Sequence, residues 1–112
     1  MSSKKISRMQ PEAKRVRLDL NNAVFQRHLF NLTKDEQRSV LTTLSKISAM
    51  TWEQVYQDAG LKWEQIASRI GDQGERLYSL RMGKGFRAVG FREGEWLRFQ
   101  SLHPDHDSAY DR

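Results

Sequence analysis

Apolar and polar positions along this chain fall into successive regimes of different period. Val16-Arg17-Leu18-Asp19-Leu20 alternates with period two, which predicts a short strand. Helical spacing follows, with Phe25, Leu29 and Leu32 at i, i+4 and i+7 behind a capping asparagine, Asn21 or Asn22. Thr33-Lys34-Asp35-Glu36 has the form of a capping box, and it opens a second helix whose apolar face is Val40, Leu41, Leu44 and Ile47. The link between these helices is so short that they must form an antiparallel hairpin. Thr51-Trp52-Glu53-Gln54 repeats the capping pattern and opens a short helix, with Gly60 as its expected C′ residue. Trp63, Ile66, Ala67 and Ile70 lie at helical spacing in a ten-residue segment that leaves helix and irregular wrap both open.

From Arg76 onward period two returns. Gly83-Lys84-Gly85 and Glu93-Gly94 supply two tight turns, so Arg76 to Leu102 reads as a three-stranded antiparallel meander. With Met82 and Phe86 flanking the first loop, Arg81 stands opposite Arg87. With Arg92 and Glu95 flanking the second, Arg87 stands opposite Gln100 and Val89 opposite Arg98. Alternation puts Tyr78, Leu80, Met82, Phe86, Ala88, Gly90, Leu97 and Phe99 on one face, which is apolar enough to receive helices. The other face carries Ser79, Arg81, Arg87, Arg98 and Gln100, with Leu77, Val89, Phe91, Trp96 and Leu102 among them, and is expected to be open. The pattern therefore predicts an α+β fold, a helical hairpin packed on one face of a small antiparallel sheet.

Composition adds limits. A chain of 112 residues suits one domain, with a polar, basic arm expected over 1–15 and the folded domain over 16–112. The absence of cysteine removes disulfides, thiolate metal sites and a cysteine nucleophile, in keeping with a reducing cytoplasm. No apolar run approaches a membrane span, and no signal-peptide pattern opens the chain, so a cytoplasmic protein without a membrane partner is expected. The net charge of +5 is concentrated in residues 1–20 and 61–103, a distribution that suggests a polyanionic partner.

Arg81 opposite Arg87 is an odd pairing for stability, because like charges facing across strands repel. Either the guanidinia splay into solvent or find carboxylates such as Asp105 or Asp107, or they form a phosphate clamp. After the meander, His103-Pro104-Asp105-His106-Asp107-Ser108-Ala109-Tyr110 gathers two imidazoles, two carboxylates and a phenol. Three uses fit this tail: a divalent-metal site, a structural turn, or acid–base chemistry beside the arginines.

The LYSLRM and GFRAV strands, and the last strand running into a polar tail that ends in Tyr110, resemble the RelE/ParE toxin superfamily. The short first strand and the hairpin at 22–50 fall where that family keeps its own, so the resemblance spans roughly 16–110. It implies a RelE-like microbial RNase toxin fold and the toxin of a type II toxin–antitoxin pair in a bacterial cytoplasm. RelE-like members cut mRNA, commonly on the ribosome, by attack of the 2′-hydroxyl and without metal or small-molecule cofactor. Their implied partners are a cognate antitoxin and mRNA. By resemblance Arg87 contacts the scissile phosphate, Arg81 is a basic position of the preceding strand, Tyr110 closes the tail and His106 lies just before it. Glu64 falls where YoeB-like members place a carboxylate base. RNA contacts are expected on the sheet, from Arg76, Lys84, Arg98, Gln100 and His103. Ser79 and the HPDHD tail depart from the family pattern. ParE-like members share the fold but inhibit DNA gyrase, and a non-catalytic binding module is the other alternative.

Overall fold

A computed structural model describes residues 14–104. In chain order it contains β1 (Arg17–Asp19), α1 (Ala23–Phe30), α2 (Lys34–Ser48), α3 (Trp52–Gln57), β2 (Glu64–Ile70), β3 (Arg76–Gly83), β4 (Phe86–Glu93) and β5 (Trp96–His103). The five strands form one mixed sheet in the order β1-β5-β4-β3-β2. β1 runs parallel to β5 and the other neighbours are antiparallel. The α+β class is as expected. The sheet differs from expectation in being mixed and in having a further strand.

The helix starts follow their local chemistry. Asn22 accepts from the Val24 and Phe25 amides, and both Thr33 and Thr51 complete reciprocal capping boxes with Glu36 and Gln54. Three residues join α1 to α2, and Gln37 Nε2 donates back to the Leu29 carbonyl across this link. The end of α3 does not use Gly60 as its C′ residue. Asp58 instead accepts from the Leu61 amide at 2.8 Å and from Lys46, while Lys62 takes the left-handed conformation. That amide bond, aided by Lys46 against the opposing effect of burial, holds the Asp58 carboxyl below its ordinary value.

One sheet face and the three helices enclose the main core. Phe25, Val40, Leu44, Ile47, Trp52 and Val55 meet Leu80, Met82, Ala88, Leu97, Phe99 and Leu102 there. Phe25 and Phe99 touch ring to ring, with centroids 5.3 Å apart. Full burial of one such side chain contributes about 1.5–3 kcal/mol, so this layer dominates the stability. Leu41, expected in the core stripe of α2, is instead 61% exposed. The upper half of β5 lies beyond the short β1, and α1 covers part of it: His28 Nδ1 accepts from the Leu102 amide. A backbone donor that would otherwise be unsatisfied at the sheet edge is thereby paired.

Two features set the register. Gly94-Glu95, rather than Glu93-Gly94, forms the second turn, with Glu93 paired to Trp96 and Gly94 at φ +64°. Glycine at the first loop position is what such a two-residue hairpin turn needs. A bulge then changes the β4–β5 pairing between Val89 and Gly90, with Gly90 opposite Phe99 and Val89 opposite Ser101. Arg87 consequently faces His103, not Gln100, and Phe91 rather than Val89 faces Arg98. Gln100 is the extra residue of the bulge, and Leu102 turns into the main core instead of the opposite face. The bulge also brings β5 backbone so close to Gly90 that a Cβ there would lie 2.7 Å from the Arg98 carbonyl oxygen.

Segment 61–70 is the other correction. Glu64 to Ile70 is neither helix nor wrap but strand β2, with Glu64 opposite Ser79 and Gln65 opposite Tyr78. Its irregular pairing with β3 spoils clean alternation, which is why the sequence period there looked helical. Arg15, placed at the end of the arm by its composition, bridges to Thr51 and sits against the folded part.

Candidate functional site

The face of the sheet turned away from the helices is where the sequence put its candidates. Arg81 does pair with Arg87, and Arg87 in turn pairs with His103, giving a cationic and imidazole row across β3, β4 and β5. The adjacent row runs Glu64, Ser79, Val89 and Ser101 across four strands. Strand β2 thus delivers Glu64 to the arginines, and Glu64 Oε1 lies 3.9 Å from Arg87 Nη2.

This face is not the open surface expected. Arg87 is 2% exposed and Ser79 and Ser101 are also buried, whereas Arg81 is exposed. A small second core of Ile66, Leu77 and Val89, with Phe91 packed against it, lies on the same side. Strand β2, absent from the expected meander, contributes Ile66 and Glu64 to this face. A buried guanidinium needs charge and hydrogen-bond partners, and Glu64 supplies one of opposite sign. Glu64 itself keeps 45% of its side chain exposed, so it touches both Arg87 and solvent.

His103 ends the row. Its Nε2 lies 2.8 Å from the Ser101 hydroxyl, and its ring meets that of His28 edge-on, with centroids 6.0 Å apart. Burial pushes the imidazole from its ordinary 6.5 down to about 4, and the positive Arg69 and neighbouring His28 act in the same direction. His103 is therefore neutral near pH 7, able to accept or relay a proton but adding no cation for a phosphate.

The remaining candidates scatter. Arg98 is bound by two carboxylates, Asp19 at its Nη1 and Glu93 at its Nε, and lies 5.4 Å from the Trp96 ring centre. Those two hydrogen bonds hold its pKa above the ordinary value. It serves to tie β1 to β5 and is poorly placed to release a hand to RNA. Lys84 is exposed at the β3–β4 turn, Arg76 is exposed at the far end of β3, and Gln100 is half-buried at the bulge. His106 and Tyr110, with Asp105 and Asp107, lie outside the described residues. The structure thus unites Arg81, Arg87, Glu64 and His103, and separates Arg76, Lys84 and Arg98 from them.

Ser101 and Arg69 join this site without having been singled out for it, and Ser79, placed on this face by alternation, joins it as a buried residue with no role assigned in advance. Small hydroxyl residues at inward strand positions were the available signal for the serines. Arg69 could be found only once β2 was known to be a strand. Among the described residues, no grouping of His, Asp and Glu could hold a metal ion, and no helix is long and apolar enough to cross a membrane. No family model, curated protein or solved structure matches this chain.

Proposed function

We propose that the Arg87 row is a phosphodiester-cleaving centre and that the protein is an mRNA-cleaving toxin of RelE-like type, held in check by an antitoxin. The observation that carries this reading is the junction of Glu64, Arg87, Arg81 and His103 on one sheet face. The element order supports it, since a short first strand, two helices and a terminal meander are what the family resemblance implies.

The chemistry needs a base for the 2′-hydroxyl, cations for the pentacoordinate phosphorane, and a proton for the departing 5′-oxygen. Glu64 is the solvent-reachable carboxylate beside Arg87 and takes the first proton. Arg87, fixed by burial, and the exposed Arg81 opposite it stabilise the added negative charge; such groups contribute about 10²–10³ in rate. The 2′-oxygen bonds to phosphorus as the bond to the 5′-oxygen breaks, leaving a 2′,3′-cyclic phosphate and a 5′-hydroxyl. His106 or Tyr110 donates to the leaving oxygen. No metal takes part in this scheme.

A second reading is favoured by the burial of Arg87. A guanidinium 2% exposed and paired with a carboxylate also suits a purely structural polar core, in which case the chain is a binding protein, such as a gyrase inhibitor. Primer extension on abundant transcripts after induction separates the two. The nuclease reading expects new 5′ ends within transcripts and none with Arg87→Ala. Growth arrest with intact transcripts overturns it and supports the binding reading.

A further inference from the structure

A second concavity lies at the other end of β3 and β4, bordered by α3. It has a volume of about 440 Å³ and is lined by Tyr56, Trp63, Tyr78 and Phe91, with Arg76 and Arg92 among its polar groups. Small-molecule sites commonly measure about 300–1,000 Å³, so one planar ligand fits. None of these residues belongs to the Arg87 row.

The aromatic wall is built in advance of any ligand. Trp63 and Tyr78 stack nearly parallel, 4.5 Å apart and 11° from coplanar. Buried Trp52 props both Trp63 and Tyr56 from behind, at 5.3 and 5.7 Å, and is itself fixed by donation from Nε1 to the Glu95 carbonyl. Tyr56 remains 48% exposed where it lines the concavity, with the Arg92 guanidinium 5.9 Å from its ring centre.

The charges define what that ring carries. Arg92 lies 4.8 Å over the Trp52 ring, donates to the Gly94 carbonyl and to the Tyr56 hydroxyl, and still has donors in reserve. Arg76 is exposed and makes no ion pair among the described residues. The two acids on the rim are engaged elsewhere: Glu93 accepts from Arg98, and Glu75 accepts from the Gln73 amide. With Glu93 neutralised by Arg98, the two arginines outweigh the charge of Glu75 and disfavour a cationic guest, and with it the aromatic-cage use of such rings. A flat aromatic group joined to an anion satisfies both the rings and the guanidinia.

We infer that this pocket binds a nucleobase with its 5′-phosphate, the base against Tyr56 and Trp63 and the phosphate on Arg76 and Arg92. Ring stacking of this kind tolerates different bases and depends on the aromatic face. The ligand can come as a free nucleotide or as one residue of a single strand. Calorimetric titration of the full-length protein with adenosine 5′-monophosphate and with a short oligoadenylate separates these sources. Binding of the mononucleotide marks a free-nucleotide site, and binding of the oligomer without the mononucleotide marks a base held within a strand. In either case Tyr56→Ala and Arg76→Ala, both at exposed positions, are expected to weaken binding by about 5–100-fold. The same losses are expected when the two pocket substitutions are made in Arg87→Met, where the oligomer is neither cut nor held at the Arg87 row, which keeps this result separate from the cleavage reading. Absence of binding by both probes, or binding indifferent to both pocket substitutions, overturns the inference.

Discussion

The two faces of the sheet are built on opposite principles. The helix face buries large apolar side chains from all three helices against four strands, and Phe25, Val40, Ile47, Val55, Leu80 and Leu97 there have essentially no exposure. The other face buries three apolar residues, Ile66, Leu77 and Val89, and beside them two serines and an arginine. Burying polar groups costs free energy that good partners only offset. The first face accounts for the fold, and the second spends stability on a charge held in a fixed place. That contrast is the physical ground for looking for function at Arg87.

The largest effect should therefore come from the helix face. Phe99→Ala is expected to cost about 3–5 kcal/mol in urea denaturation, because Phe25 loses its ring partner and the cavity lies between sheet and helices. Ile66→Ala should fall at or below the low end of the about 2–5 kcal/mol range for such truncations, since its cluster is small. Equal losses would erase the distinction between the faces. Gly90→Ala comes next, at about 1–3 kcal/mol, because its methyl group collides with the Arg98 carbonyl and the bulge must shift. Thermal unfolding of this variant reads the cost directly.

Much of the helix face was legible in the sequence. Caps at Asn22, Thr33 and Thr51 are local chemistry, and the apolar set from Leu80 to Phe99 follows from simple alternation. The polar face was less legible, for two reasons. The turn at Gly94-Glu95 moves the register by two residues and the bulge at Gln100 by one more, which no alternation rule reveals, and together they exchanged Gln100 for His103 as the neighbour of Arg87. Strand β2 pairs irregularly with β3, so the residues that bring Glu64 to the arginines carried a helical period. Arg81 opposite Arg87 survived because two changes cancel: Gly83 pairs with Phe86 instead of lying in the loop, and an irregularity between Arg81 and Gly83 restores the expected register.

Smaller effects sharpen the same contrast. Thr33→Ala removes the cap of α2 and should cost about 1 kcal/mol, visible as a reduced denaturation midpoint with cleavage unaffected. His103 gives the polar face a pH signature. Its folded pKa of about 4 lies below the ordinary 6.5, so the unfolded chain binds the proton first as pH falls. The contribution is complete above 6.5 and is lost progressively between 6.5 and about 4. Asp19, held low first by the Asn21 amide and then by Arg98, loses its contribution only below its ordinary value of 3.8. Denaturation curves from pH 7 to 4.5 should show stability declining in the native protein and a flatter profile in His103→Gln. An unchanged slope in that variant would assign the decline to another group.

Arg87→Met tests the central claim most directly, with stability and transcript cleavage measured on the same variant. Methionine keeps much of the volume of the buried stem while removing the charge, and replacing a buried ion-pair partner by an apolar side chain of similar size is often neutral or stabilising. Glu64, which is 45% exposed, can turn to water in its absence. The account predicts an unfolding free energy within about 1 kcal/mol of the unaltered protein or above it, together with loss of the new 5′ ends in transcripts. A variant that still cuts RNA, or one that loses several kcal/mol of stability from a protein that never cut RNA, would contradict it.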